Sequence, residues 1–131
     1  MKQKVHSVSY LAKAEFEFKN GVYDLVALPT GAEVLKVSLE IVGSNAMSEG
    51  GVNVGFKDES QKDYFLSLDN ILVLDSASKN FLHSFTSSKD YTATSNKVVV
   101  AEVKNANSNN DDTKGVLRVL YFLPSVIEVE Y

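Results

Sequence analysis

The sequence has no cysteine and no tryptophan among its 131 residues, and it contains only two prolines. Without cysteine, disulfide bridges, Cys-based zinc sites and cysteine nucleophiles are excluded. The fold must therefore be held together by packing alone. This composition also fits synthesis in a reducing compartment.

Clusters of positive charge and long apolar runs are missing as well. Lys and Arg number 13 against 17 Asp and Glu, which gives a formal net charge of −4. Because binding to nucleic-acid phosphates relies on clustered positive charge, we predict no nucleic-acid partner. No apolar run approaches the roughly 18–20 residues that span a bilayer, so we predict no membrane partner. The basic first six residues are not followed by the apolar stretch of a signal peptide.

Residue types that carry catalysis are few, and they form no recognisable catalytic pattern. Of the two histidines, His83 lies in an alternating segment typical of a strand. The pairs Glu15/Glu17 and Glu128/Glu130 are spaced to share one face of a strand, which is typical of a solvated surface. There is no Gly-x-Ser-x-Gly elbow and no glycine-rich phosphate loop. We therefore predict no enzyme activity, no catalytic residue and no cofactor.

A two-residue hydrophobic period dominates the chain. From residue 13 to residue 19, charged and apolar side chains alternate, as in a half-buried antiparallel strand. Asn20-Gly21 follows, and this dipeptide tolerates the positive φ angles of a tight type I′ turn. The sequence therefore predicts a hairpin between residues 13–19 and residues 22–28.

Further strand-like segments follow, and turn or loop signals separate them. Residues 71–74 are apolar but too short to be assigned to a strand or a helix. About 8–10 short strands without a long amphipathic helix predict an all-β fold, an antiparallel β-sandwich of jelly-roll type. The segments cover residues 33–42, 52–56, 64–68, 81–85, 91–95, 97–103, 116–122 and 126–131.

The length predicts one domain over residues 1–131. We expect an N-terminal hairpin arm at about residues 1–28 and an extended C-terminal tail at about residues 123–131. Contacts with other molecules are expected first on the loops, because loops carry function on rigid scaffolds. The loops in question are residues 44–51, 57–63 and 105–114.

Two acidic loops are the candidates for a metal site. Asp58, Glu59 and Asp63 lie in one of them, and Asp111 and Asp112 lie in the other. Calcium takes about six to eight hard oxygen ligands, often from Asp on loops, but neither segment has EF-hand spacing. An exposed loop tip is the competing interpretation. A calcium titration that produced no heat and no thermal stabilisation would contradict the metal site.

Several segments also carry a family signature. Residues 24–37 read DLVALPTGAEVLKV, with a Leu-Pro-x-Gly-Ala-x-Val pattern that opens an alternating strand. Residues 52–56, the Asp63-Tyr64-Phe65 triplet and the glycine-led strand at residues 115–121 follow in order. Over roughly residues 22–122, the chain resembles a family of small structural proteins of tailed-phage and prophage virions.

That resemblance implies a β-sandwich and a non-enzymatic structural role in the phage virion. The implied position is head-associated or of the capsid-decoration type. The implied partners are further copies of the chain, as a homo-oligomer, and other virion proteins, after synthesis in the bacterial cytoplasm. It carries over no catalytic residues. The arm at the N-terminus and the tail after residue 122 depart from the family pattern.

A ligand-binding β-sandwich module, of carbohydrate or adhesion type and calcium-assisted, is the alternative interpretation. It rests on the acidic loops and on tyrosines that are able to form an exposed aromatic platform. The competing expectation for such tyrosines is a buried ring with its hydroxyl in water. The tyrosines concerned are Tyr10, Tyr23, Tyr64 and Tyr91.

Overall fold

The computed structural model describes residues 1–44, 50–58, 60–69, 80–106, 113–124 and 126–130. Within these ranges the chain forms eleven β-strands and no helix. The strands are β1 (Lys2–His6), β2 (Ser9–Glu17), β3 (Gly21–Leu28), β4 (Glu33–Ser44), β5 (Gly51–Phe56), β6 (Leu66–Leu68), β7 (Asn80–Thr86), β8 (Tyr91–Thr92), β9 (Lys97–Lys104), β10 (Lys114–Phe122) and β11 (Val126–Glu130).

Two antiparallel sheets make up the body of the protein. The first sheet has the strand order β2-β10-β4-β7, and β8 also pairs with β4. The second sheet has the order β3-β9-β5-β6. Apolar residues of both sheets form one buried cluster between them. The predicted all-β antiparallel sandwich is thereby confirmed.

The core is built from the alternate residues that each strand turns inward. Val37 and Leu39 on β4 and Leu117 on β10 are fully buried, and Val54 on β5 and Val99 on β9 meet them from the second sheet. Burying such a side chain contributes about 1.5–3 kcal/mol. The central strands therefore supply most of the stabilisation, and the outward residues of the same strands remain available for other contacts.

The predicted N-terminal hairpin is wrong. β2 pairs with β10, and β3 pairs with β9, so the segments on either side of Asn20-Gly21 lie in different sheets. Gly21 does adopt a positive φ of 152°, but the chain there passes from one sheet to the other. Asn20 Oδ1 accepts a hydrogen bond from the Ala106 N–H at 2.8 Å. The long-range pairings prevail because β9 and β10 are buried central strands, which offer more apolar surface than β2 and β3 offer each other.

The two ends of the chain form a separate two-stranded ribbon, here called the terminal arm (β1 and β11). β1 and β11 are antiparallel, with Lys2 opposite Glu130 and His6 opposite Val126. The arm prolongs the pairing of β2 with β10, because the Leu123 N–H donates to the Val8 carbonyl at 2.8 Å. The N-terminal arm and the C-terminal tail, predicted as separate segments, are therefore paired with each other in the structure.

Candidate interaction surfaces

The acidic loops predicted to bind calcium are described only in part. Asp58 and Asp63 are exposed in the turn after β5, whereas Glu59, Asp111 and Asp112 lie outside the described residues. Among the side chains that the structure does describe, no group of three or more His, Asp or Glu is placed to hold a metal ion. The calcium site stays a prediction.

The loops predicted to make contacts are also incomplete, because residues 45–49, 59 and 107–112 lie outside the described ranges. The apolar segment at residues 71–74 lies outside them as well. Within the described turn after β5, Lys57 Nζ lies 2.8 Å from Asp24 Oδ2 and both side chains are exposed. This contact ties the turn to β3 and offers no chemistry beyond a surface ion pair.

Three of the four tyrosines considered for an exposed platform pack against buried rings instead, whereas Tyr10 is 52% exposed. Tyr64 and Tyr91 pack against the buried Phe56, with ring centroids 5.3 and 4.5 Å away. Tyr23 packs against Phe16 at 5.5 Å. The Tyr23 and Tyr64 hydroxyls donate to backbone carbonyls at 2.7 and 3.1 Å. These three rings therefore extend the core, as expected for an amphipathic side chain at a strand end.

A polar recess of about 330 Å³ lies on the outer face of the second sheet. Glu102 on β9 is at its centre, with carboxylate oxygens 3.9 Å from Lys62 Nζ and 3.3 Å from Lys104 Nζ. Asn53 Nδ2 donates to the same carboxylate at 3.4 Å. The charges that line the recess thus compensate one another, so the recess is a cluster of surface ion pairs. Its lining comprises Asn53, Ser60, Lys62, Asp63, Glu102 and Lys104.

Apolar side chains are concentrated on the outer face of the first sheet. Leu11 on β2 and Leu120 on β10 are opposite each other in register, and Leu35 lies beside the irregularity in the pairing of β10 with β4. Leu11 is 62% exposed and Leu35 is 53% exposed. Together with the half-buried Phe122, these residues form what we call the leucine patch (Leu11, Leu35, Leu120 and Phe122). Two shallow depressions of about 260 and 320 Å³ lie in it.

The border of the leucine patch is charged. Arg118 on β10 contacts the Glu40 carboxylate on β4, and both side chains are more than two-thirds buried. Lys36 lines one depression beside Leu11, and Glu33 lines the other beside Leu35. An apolar centre within a polar rim is the usual composition of a protein–protein interface.

Sequence reasoning missed the leucine patch, although a signal was present. Leu11 falls in the outward series that continues with Lys13, Glu15 and Glu17, where alternation predicts a polar residue. The outward series of β10 is mostly apolar, because Leu120 and Phe122 follow Arg118 in it. Apolar residues on both faces of a strand indicate either a second core or an interface, and strand pairing decides where they meet.

Comparison with known proteins identifies the chain. No protein-family model and no curated protein sequence matches it. Among solved structures, a chain of the acidic stable capsid structure of Helicobacter pylori bacteriophage KHP30 matches over 100% of both chains, with 71% sequence identity and a TM-score of 0.83. The chain belongs to this family of phage capsid proteins.

The fold of this phage capsid protein is also found more widely. A chain of the cyanophage Pam1 capsid asymmetric unit shares 24% of its residues and has a TM-score of 0.63. That match covers 88% of this chain and 85% of the cyanophage chain. At this identity, the match speaks for the fold alone.

The resemblance to phage virion structural proteins is confirmed by the full-length match. The phage capsid protein is a structural protein of the virion, and the virion is its location. The alternative of a ligand-binding module is not favoured. In the described part of the capsid protein, no helix has the length and apolar character needed to cross a bilayer.

Proposed function

We propose that the protein is a non-enzymatic, head-associated subunit of the phage particle that acts by binding other capsid subunits through the leucine patch. The observation that carries this proposal is the exposure of Leu11 and Leu35 on a sheet face whose other side is fully packed. Exposed apolar patches with a polar rim mark interaction sites on folded proteins. Other copies of the chain and other virion proteins are the proposed partners.

The chemistry of the described residues supports a structural role. Glu15 and Glu17 project into solvent from β2, and His83 is exposed on β7. The Glu102 carboxylate has two cationic neighbours, Lys62 and Lys104, which compensate its charge at the surface. A catalytic site requires a nucleophile, a base and an orienting group that converge. The described side chains contain no such arrangement.

Introducing charge into the leucine patch is expected to remove the protein from particles. In the double variant Leu11→Lys, Leu35→Lys, two lysines would have to be desolvated at the interface. We expect its occupancy in purified particles to fall at least tenfold, which corresponds to about 1.4 kcal/mol or more. Mass spectrometry of particles from cells that make the variant instead of the parent chain measures this occupancy.

Val22→Lys is the matched control for that experiment. Val22 is 45% exposed on β3, on the outer face of the second sheet, so the same chemical change is made away from the patch. All three substitutions are at exposed positions, and the thermal unfolding midpoint should stay near that of the parent. Equal occupancy of patch variant and control would show that the patch is not a contact surface. Absence of the parent chain from particles would contradict the head-associated role itself.

A further inference from the structure

The terminal arm extends beyond the two sheets of the body, and only its base continues the pairing of β2 with β10. Among the described residues, β1 pairs only with β11, and the arm belongs to neither sheet of the body. The side chains from Met1 to Lys4 are all exposed. An isolated two-stranded ribbon is marginally stable in water. Each strand also has one edge that pairs with no other described strand, and such an edge is a template for pairing with another chain.

The two strands of the arm carry opposite charge. β1 bears Lys2 and Lys4 and follows directly on the terminal amine of Met1, whereas β11 bears Glu128 and Glu130. The amine lies 3.5 Å from Glu130 Oε1, and Lys2 Nζ lies 3.9 Å from Glu128 Oε1. Because residues opposite each other share a face of a sheet, the four charged side chains of β1 and β11 all lie on one face of the arm. The arm thus has a basic strand on one side and an acidic strand on the other.

The opposite face of the arm is less polar. Val5 is half-buried there, and Gln3 is opposite Val129 in register. A ribbon with one charged face and one weakly polar face is stabilised most when the weakly polar face is enclosed and removed from water. An all-antiparallel sheet that curves around this face would enclose it and leave the charges outside.

We propose that β1 of one copy pairs with β11 of the next copy, so that the terminal arms close into a ring-shaped antiparallel sheet on a rotation axis. This inference rests on the proposed assembly with further copies of the chain. Rotation about an axis along the arm preserves strand direction, so each β1 meets a neighbouring β11 in antiparallel orientation. The contact is head-to-tail, repeats identically and closes. Closure leaves no free edge.

Charge selects this arrangement over a two-fold one. In the ring, Lys2 and Lys4 of one copy lie beside Glu128 and Glu130 of the next copy, so charge alternates around the outside. A two-fold axis between arms would instead place β1 against β1 or β11 against β11. Like charges directly opposite each other destabilise a strand pair. The sequence of the arm therefore favours unlike strands as neighbours.

The absence of cysteine from the natural chain permits a direct test. Two single-cysteine variants, Lys4→Cys and Glu128→Cys, are refolded together and are also produced together for incorporation into particles. Each chain then has one thiol, so every disulfide joins two copies. We expect the mixed Lys4→Cys and Glu128→Cys disulfide to form at least tenfold faster than the product of a control mixture. The control pairs Glu128→Cys with Lys57→Cys, whose thiol is in the exposed turn after β5.

Two results would overturn the ring. One is a cross-linking rate equal to the control both in solution and in particles. The other is a Lys4→Cys variant that cross-links to itself as fast as it does to Glu128→Cys, because that indicates a two-fold contact. Particle occupancy of the parent chain is measured separately. A parent chain that is present in particles while the cross-link fails contradicts the ring alone, whereas an absent parent chain contradicts the proposed function.

Discussion

Replacing Phe56 with alanine is expected to lower the free energy of unfolding by about 3–5 kcal/mol. Phe56 ends β5 and is 1% exposed. Its ring lies 5.3 Å from the Tyr64 and Phe65 rings and 4.5 Å from the Tyr91 ring, centroid to centroid. Truncation would remove the centre of this cluster and leave a cavity that the three surrounding aromatic rings cannot fill by small movements.

The Phe56 cluster also holds three segments of the chain together. It joins β5, the turn that leads to β6, and β8. Aromatic pairs of this kind contribute about 0.5–1.5 kcal/mol each beyond the burial of area. The loss should therefore exceed that of an ordinary core truncation, and the turn and β8 should lose protection from hydrogen exchange before the central strands do.

Urea denaturation followed by circular dichroism measures the effect of Phe56→Ala. Tyr10→Ala is the matched control, because Tyr10 is also aromatic but is 52% exposed and packs edge-on against Tyr121. Its cost should be below about 1 kcal/mol, as for exposed sites in general. Equal losses in the two variants would show that the Phe56 cluster does not carry the stability assigned to it.

The sequence predicted the strands well because alternation is a local signal. The alternation in residues 33–42 and 52–56 and the β-branched run in residues 97–103 predicted β4, β5 and β9 to within two residues. Their inward side chains became the core, since burying one face of a strand fixes which residues point inward. The same alternation therefore indicates which residues pack between the two sheets.

Strand partners and interaction surfaces were not predictable in this way. Asn20-Gly21 has the chemistry of a hairpin turn, yet β2 pairs with β10 and β3 pairs with β9, both of which lie far along the chain from this turn. No local pattern reveals that the two chain ends pair as β1 and β11. Predicting the leucine patch requires both the alternation within each strand and the order of the strands. Leu11 and Leu35 become one surface only when β10 lies between β2 and β4.

Glycine at position 55 is expected to be nearly irreplaceable. A Cβ on Gly55 would meet the carbonyl oxygen of Gln61 and lie 2.6 Å from the carbonyl carbon of Lys62. The turn cannot move away without breaking a hydrogen bond, because the Phe56 N–H donates to the Gln61 carbonyl at 2.8 Å. We expect Gly55→Ala to cost about 3 kcal/mol, at the upper end for overpacking, since backbone must shift.

Gly115→Ala provides the matched comparison for Gly55→Ala. A Cβ on Gly115 would meet the ring of Phe16, which is its cross-strand neighbour on β2. Because that obstacle is a side chain, adding Phe16→Leu to Gly115→Ala should recover part of the loss. No side-chain truncation should rescue Gly55→Ala, since its obstacle is the main chain of the turn. Urea denaturation of Gly55→Ala, Gly115→Ala and the double variant measures all three. If the free energy of unfolding of Gly55→Ala were within about 1 kcal/mol of the parent value, the turn would not pack against β5 in solution. The Phe56 cluster would then not hold this turn in place either.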